Sequence, residues 1–66
     1  MPTSKRDLIK RKHTAIENAL DRSMVWTQEL HDMFLEYHPE YSKGYLNIFI
    51  ALDQVKTFIT EMKGFI

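Results

Sequence analysis

The amino-acid sequence predicts an all-α protein: a two-helix antiparallel hairpin that pairs with a second copy into a coiled-coil-like four-helix bundle. Two long segments repeat apolar residues at three- and four-residue spacing, which is the pattern of an amphipathic helix. Proline and glycine lie between these segments and near the ends of the sequence, where they mark helix boundaries. A chain of 66 residues buries only about 60% of its unfolded surface, so we expect a partner to stabilise this single domain, residues 1–66.

The first helix is predicted to span about residues 4–37, a segment without glycine or proline. Ser4 is placed to cap its first turn, with Asp7 at the partner position of a capping box. The stripe predicted to face the second helix is Ile9, Ile16, Leu20, Ser23, Thr27, Leu30, Phe34 and Tyr37, edged by Ala19, Trp26 and Met33. Ser23 and Thr27 make the middle of this stripe more polar than its ends.

The segment HPEYSKG predicts a turn over residues 38–44. Pro39 disfavours helical geometry at the residue before it, and Gly44 completes the turn signal. A second helix is predicted over about residues 45–63, with Gly64 as its stop. Because the turn is short, the two helices are expected to be antiparallel.

The second helix carries the more apolar stripe of the two. Its members follow the spacing of a coiled-coil seam without interruption: Tyr45, Ile48, Leu52, Val55, Ile59, Met62 and Ile66. Phe49 lies on one side of this stripe, and Ala51, Phe58 and Phe65 lie on the other. Such a face is too wide for one neighbouring helix to cover, so we expect a second hairpin to cover it. The residues predicted for this dimer interface or core are Trp26, Phe49, Phe58 and Phe65.

A basic arm is predicted at the start of the first helix. The short turn pairs Phe34 with Ile48 and leaves Ile16 opposite the end of the second helix. Residues 4–15 are therefore predicted to project about 15 Å beyond the second helix. The cations of this arm, five of the nine lysines and arginines, are Lys5, Arg6, Lys10, Arg11 and Lys12. Residues 14–42, by contrast, contain six acidic residues and one arginine.

Two interpretations of the basic arm stay open. Its charges surround the helix axis and no Asn or Gln accompanies them, which disfavours reading of base edges but permits contact with phosphate. The other candidate partner is the acidic flank of a second subunit, since opposite charges draw subunits together. The helix dipole disfavours cations in a first turn, so we expect the arm to have an anionic partner.

Composition and spacing disfavour catalysis and metal binding. The chain contains no cysteine, which excludes a disulfide, a thiol nucleophile and a thiolate metal site. The histidines lack the spacing of a metal site; they are His13, His31 and His38. Glu17 is expected to form a surface hydrogen bond with His13 instead. Two helices offer no enclosed pocket, so we expect no enzymatic activity, no cofactor and no metal.

A small chain without a pocket is expected to act by binding. We predict a non-enzymatic interaction or regulatory protein, a homodimer that modulates or inhibits a larger partner protein; small regulators carried by phages have this format. The residues predicted to bind that partner are Met24, Val25, Gln28, His31, Leu35, Leu46 and Ile50. The alternatives are a nucleic-acid-binding dimer that uses the basic arm and a structural component of an assembly. The charged start and the short apolar runs predict a cytoplasmic protein without membrane contact.

Overall fold

Two helices joined by a single residue make up the hairpin. The computed structural model describes residues 4–65, which form α1 (Lys5–Tyr37) and α2 (Pro39–Gly64). The start of α1 contacts the end of α2, since Lys63 bonds to Glu17, so the helices are antiparallel. The predicted all-α hairpin is confirmed over this part of the chain.

The boundaries of α1 follow from local hydrogen bonding. The hydroxyl of Ser4 accepts a hydrogen bond from the backbone N–H of Asp7 at 3.1 Å, as the sequence predicts, and such a cap is worth about 1 kcal/mol. The helix ends at Tyr37 because the following residue, His38, has φ −145° and ψ 80°. Pro39 disfavours helical geometry at the residue before it.

The predicted turn over residues 38–44 is wrong, because α2 begins at Pro39 and, of these seven residues, only His38 is outside the helices. Proline is favourable at the first helical position, where its fixed φ suits the helix and no N–H is needed. The acidic Glu40 in the first turn complements the helix dipole. Gly44 is an exposed residue inside α2, and a side chain there would meet no atom within 4 Å.

The surface along which the two helices pack, which we call the seam, is more polar than the sequence predicts. Its residues are the less exposed ones at heptad spacing: His13, Glu17, Leu20, Met24, Thr27, His31 and Phe34 in α1, and Ser42, Tyr45, Phe49, Leu52, Lys56, Ile59 and Lys63 in α2. Eight of the fifteen predicted stripe residues are not in the seam: Ile9, Ile16, Ser23, Leu30, Tyr37, Ile48, Val55 and Met62. All of these except the half-buried Ser23 are 38–77% exposed, and Ile66 lies outside the described residues. The seam is thus rotated by about 50° around each helix axis from the predicted stripe.

The register between the helices also differs from the predicted one. Phe34 stacks on Tyr45, with ring centroids 4.7 Å apart, one turn away from the predicted partner Ile48. At the other end, Thr60 bonds to Glu17, which places the last residue of α2 close to residue 13. The basic arm is therefore shorter than the predicted 4–15: it comprises residues 5–12 and projects about 12 Å.

The hairpin is a single layer of two helices, with principal extents of 54 × 20 × 9 Å. A layer of this kind has two open faces and no interior. Among residues 4–65 no hydrophobic side chain is buried, and the two buried residues are polar: Thr27 is 8% exposed and Ser42 is 6% exposed. Each donates its hydroxyl hydrogen to a backbone carbonyl within its own helix, at 2.7 Å.

Candidate protein-binding surfaces

One face of the layer carries most of the exposed apolar side chains, and we call it the apolar face. Twelve of the seventeen large hydrophobic residues that are exposed lie on it: Ile9, Ile16, Trp26, Leu30, Met33, Tyr37, Tyr41, Ile48, Val55, Phe58, Met62 and Phe65. Counting each helix in heptads from its seam residues puts all twelve on the same side of the seam. The apolar face therefore runs the whole length of the hairpin.

The residues predicted for the dimer interface or core fall on two surfaces. Trp26, Phe58 and Phe65 belong to the apolar face and are 61%, 62% and 84% exposed. Phe49 is half-buried and faces the seam. The first three are thus available to a partner, whereas Phe49 already packs within the hairpin.

An aromatic cluster packs at the turn end of the hairpin. The ring of Phe34 stacks on Tyr45 at an interplanar angle of 18° and meets Tyr41 edge-on, with centroids 6.2 Å apart. His38 packs edge-on against Tyr37 and Tyr41, at 4.5 and 5.6 Å. Aromatic pairs of this geometry stabilise a fold by about 0.5–1.5 kcal/mol each, beyond the contribution of the buried area. Tyr37 and Tyr41 are therefore exposed residues whose rings also pack against neighbouring rings.

The opposite face, which we call the polar face, is bordered by ion pairs across the seam. Glu17 accepts hydrogen bonds from Lys63 Nζ at 3.0 Å and from Thr60 Oγ1 at 2.9 Å. These bonds, that of Lys63 first, lower the pKa of Glu17 below its ordinary value of 4.5. One turn away, Asp21 accepts a hydrogen bond from Lys56 and raises the pKa of that ammonium group.

The residues predicted to bind a partner are divided between the polar face and the seam. Met24 and His31 are half-buried in the seam. Exposed on the polar face are Val25, Gln28, Leu35, Leu46 and Ile50. A shallow hollow brings three of the seven predicted residues together, and it is lined by Asp21, Met24, Val25, Gln28, Glu29 and Phe49. The sequence pattern did not identify Asp21 and Glu29, which also line this hollow.

The histidines are engaged in local contacts. His13 donates from Nδ1 to the carbonyl oxygen of Ile9 at 2.8 Å, so its predicted bond with Glu17 is wrong, because Glu17 is occupied by α2. His31 Nδ1 lies 3.2 Å from Asp32, and His38 Nδ1 lies 3.1 Å from Glu40. Within residues 4–65, no three His, Cys, Asp or Glu side chains are grouped to hold a metal ion. Neither described helix has an apolar stretch long enough to cross a bilayer.

Opposite charges occupy the two ends of the hairpin. Four of the five cations of the basic arm are exposed and Lys10 is half-buried; no described carboxylate lies within 4.0 Å of any of them. The part of the hairpin near the turn carries four exposed carboxylates and one lysine, Lys43. We call these the acidic end: Glu29, Asp32, Glu36 and Glu40.

The fold and surfaces define a helical hairpin with one uncovered apolar face and oppositely charged ends. The chain matches no protein-family model, no curated protein and no solved structure in the comparisons made with them.

Proposed function

We propose that the protein is non-enzymatic and acts by binding protein: it pairs with a second copy through the apolar face, and this dimer binds and modulates a larger partner. The observation that carries the proposal is the apolar face, on which twelve large hydrophobic side chains are exposed. A contiguous surface of this kind on a water-soluble domain is typical of a protein-binding site.

The exposed area supports a second copy as the occupant of the apolar face. The hairpin exposes 5402 Å², whereas a compact monomer of 7.9 kDa is expected to expose about 4,400 Å². The excess, about 1,000 Å², matches the roughly 800 Å² per partner that a stable protein interface buries. One further hairpin is therefore enough to bring the exposed area to an ordinary value.

The direction of the apolar stripe also favours a four-helix bundle. The predicted stripe lies along the border between the seam and the apolar face. In each helix it therefore points partly toward the other helix of the hairpin and partly out of the apolar face, where the described chain has no further helix. In a four-helix bundle, apolar residues point to the common centre and each helix contacts two neighbours. Stacking two hairpins by their apolar faces turns the stripes of all four helices toward one core.

The mass of the protein in solution tests the dimer. Light scattering or sedimentation equilibrium at micromolar concentration is expected to give about 16 kDa, twice the chain mass of 7.9 kDa. A folded monomer, with helical circular dichroism and cooperative unfolding, would contradict the proposal. A mass well above four chains would favour the structural-assembly alternative instead.

The polar face supports binding of a larger partner, because a four-helix bundle leaves it exposed. Its shallow hollow is lined by Met24, Val25 and Phe49 together with the acidic Asp21 and Glu29. Asp21 already accepts a hydrogen bond from Lys56, so the hollow suits an apolar side chain flanked by a cation that pairs with Glu29. The test compares capture of proteins by the wild type and by Val25→Lys. We expect the variant to keep the dimer mass and lose the partner; identical capture by both would contradict this site.

Nucleic-acid binding is the second candidate function, and the exposed basic arm is the observation that favours it. Contacts with phosphate are expected to give retention of DNA or RNA that weakens steeply with salt. The triple variant Lys10→Gln, Arg11→Gln and Lys12→Gln is expected to abolish such retention while keeping the helical content. No retention by the wild type at low salt would exclude this candidate.

A further inference from the structure

The structure points to a specific arrangement of the two copies: we propose that they pack with their turns at opposite ends, so that each basic arm binds the acidic end of the other copy. This inference rests on the proposed dimer and identifies the partner of the basic arm as protein.

The basic arm continues the apolar face beyond the end of α2. Ile9 is exposed on this side of the arm, and Lys5 and Lys12 lie on the same side of the helix. Ile9 stays 38% exposed, and α2 does not reach it because that helix ends close to residue 13. The arm thus presents one apolar side chain between two cations, and its other cations lie around the axis.

The acidic end presents the complementary chemistry. Near it, the apolar face exposes Met33, Tyr37 and Tyr41, which offer apolar contact for Ile9 and aromatic faces for lysine ammonium groups. The carboxylates of Glu36 and Glu40 are exposed beside them. A basic arm laid across this end would gain both apolar burial and opposite charge.

Two symmetric arrangements bring the apolar faces together, and they differ in which charges meet at the ends of the dimer. With both turns at the same end, the two basic arms lie side by side, and so do the two acidic ends. With the turns at opposite ends, each arm meets an acidic end. Like charges placed opposite each other in an interface are unfavourable and opposite charges are favourable, so the second arrangement is preferred.

The dimensions agree with the arrangement that has turns at opposite ends. The hairpin is 54 Å long, and its arm accounts for about 12 Å of this length. When two such hairpins overlap over their full length, each arm lies across the last two helical turns next to the hairpin turn of the other copy. These turns contain Met33, Tyr37, Tyr41 and the carboxylates of Glu36 and Glu40, while the two-helix bodies still overlap by about 30 Å.

Distances between spin labels test the arrangement, since the chain has no cysteine of its own. Leu8→Cys places a label on the outer side of the arm, and Asn18→Cys places one near the middle of α1. With turns at opposite ends, the two labels at position 8 are expected to be about 40 Å apart along the dimer. A distance below about 25 Å at position 8 means turns at the same end and overturns the proposal.

The label at position 18 is the matched control. It lies near the centre of the dimer, so it gives a distance below about 30 Å in either arrangement. The absence of any distance at position 18 means that no dimer forms, which overturns the proposed function as well. A short distance at 18 with a short one at 8 overturns only the arrangement.

Charge reversal provides an independent test on the wild-type background. Lys5→Glu with Lys12→Glu is expected to raise the dimer dissociation constant at least about tenfold, because each arm then meets an acidic end of like charge. Adding Glu36→Lys and Glu40→Lys to the same chain is expected to restore the dimer. If the arm reversal leaves the dissociation constant unchanged and abolishes only nucleic-acid retention, the partner of the arm is nucleic acid and the proposal is wrong.

Discussion

Glu17 and Lys63 are joined by a 3.0 Å hydrogen bond although 46 residues separate them in the sequence. The second carboxylate oxygen of Glu17 accepts from Thr60, and Asp21 pairs with Lys56 one turn away. Each such pair at the protein surface contributes little free energy. Together they identify which residues of α1 and α2 lie opposite each other, and so they define the length of the basic arm.

The pKa of Glu17 predicts an acid-sensitive part of the stability. Because folding lowers this pKa below 4.5, the carboxylate stabilises the fold above pH 4.5, and this contribution is lost as the pH falls through the lower folded value. Glu17→Gln is expected to reduce the loss of unfolding free energy between pH 6 and pH 3, measured with urea. Glu61→Gln, which removes a carboxylate without an ion pair in the described structure, is the control, and an equal effect of both would contradict the prediction.

Phe58 is expected to be essential for the dimer. Its side chain is 62% exposed on the apolar face, so Phe58→Lys places a charge where the second copy packs, and burial of an unpaired charge is costly. We expect the mass from light scattering to fall to that of one chain, and the dissociation constant to rise at least about a hundredfold.

Its neighbour Thr57 provides the matched control for this substitution. Thr57 is exposed on the polar face, and Thr57→Lys adds the same charge one position away. This variant is expected to remain a dimer with unchanged helical content. Equal loss of the dimer in both variants would mean that the apolar face is not the interface.

Gly44 is expected to limit the stability of α2. It lies within the helix with a negative φ, and no atom lies within 4 Å of the place a Cβ would take. Gly44→Ala is therefore expected to raise the unfolding free energy by about 0.5–1 kcal/mol, because alanine restricts the unfolded chain. Thermal unfolding followed by circular dichroism measures this; a lower midpoint would show that another chain approaches the backbone here.

Thr27 provides a test of the polar seam. Its hydroxyl is buried and donates to the carbonyl of Ser23, four residues earlier. Thr27→Val removes the donor, leaves no unsatisfied group in the new side chain and adds a buried methyl worth about 0.8 kcal/mol. The unfolding free energy is expected to be unchanged or up to about 1 kcal/mol higher, whereas Thr27→Ser, which loses a methyl, is expected to lower it. A strong destabilisation by valine would contradict this view of the seam.

Local signals in the sequence were sufficient to predict the two helices but not the residue at which α2 begins. The Ser4 cap depends on residues close together in the chain, so the sequence predicts it directly. Pro39 is ambiguous, since proline is found both in turns and at the first position of a helix. Treating Pro39 and Gly44 as one turn moved the predicted start of α2 from residue 39 to residue 45.

The sequence by itself determined two amphipathic helices, their antiparallel order and the presence of more apolar surface than one hairpin can cover. Each of these depends on the spacing of residues within one segment or on the shortness of the linker. Only the tertiary structure decided the register and the direction of the stripe, because Glu17 and Lys63 meet through space and not through spacing. Periodicity reports the centre of an apolar stripe, and in this hairpin that centre lies about 50° away from α2, toward the apolar face.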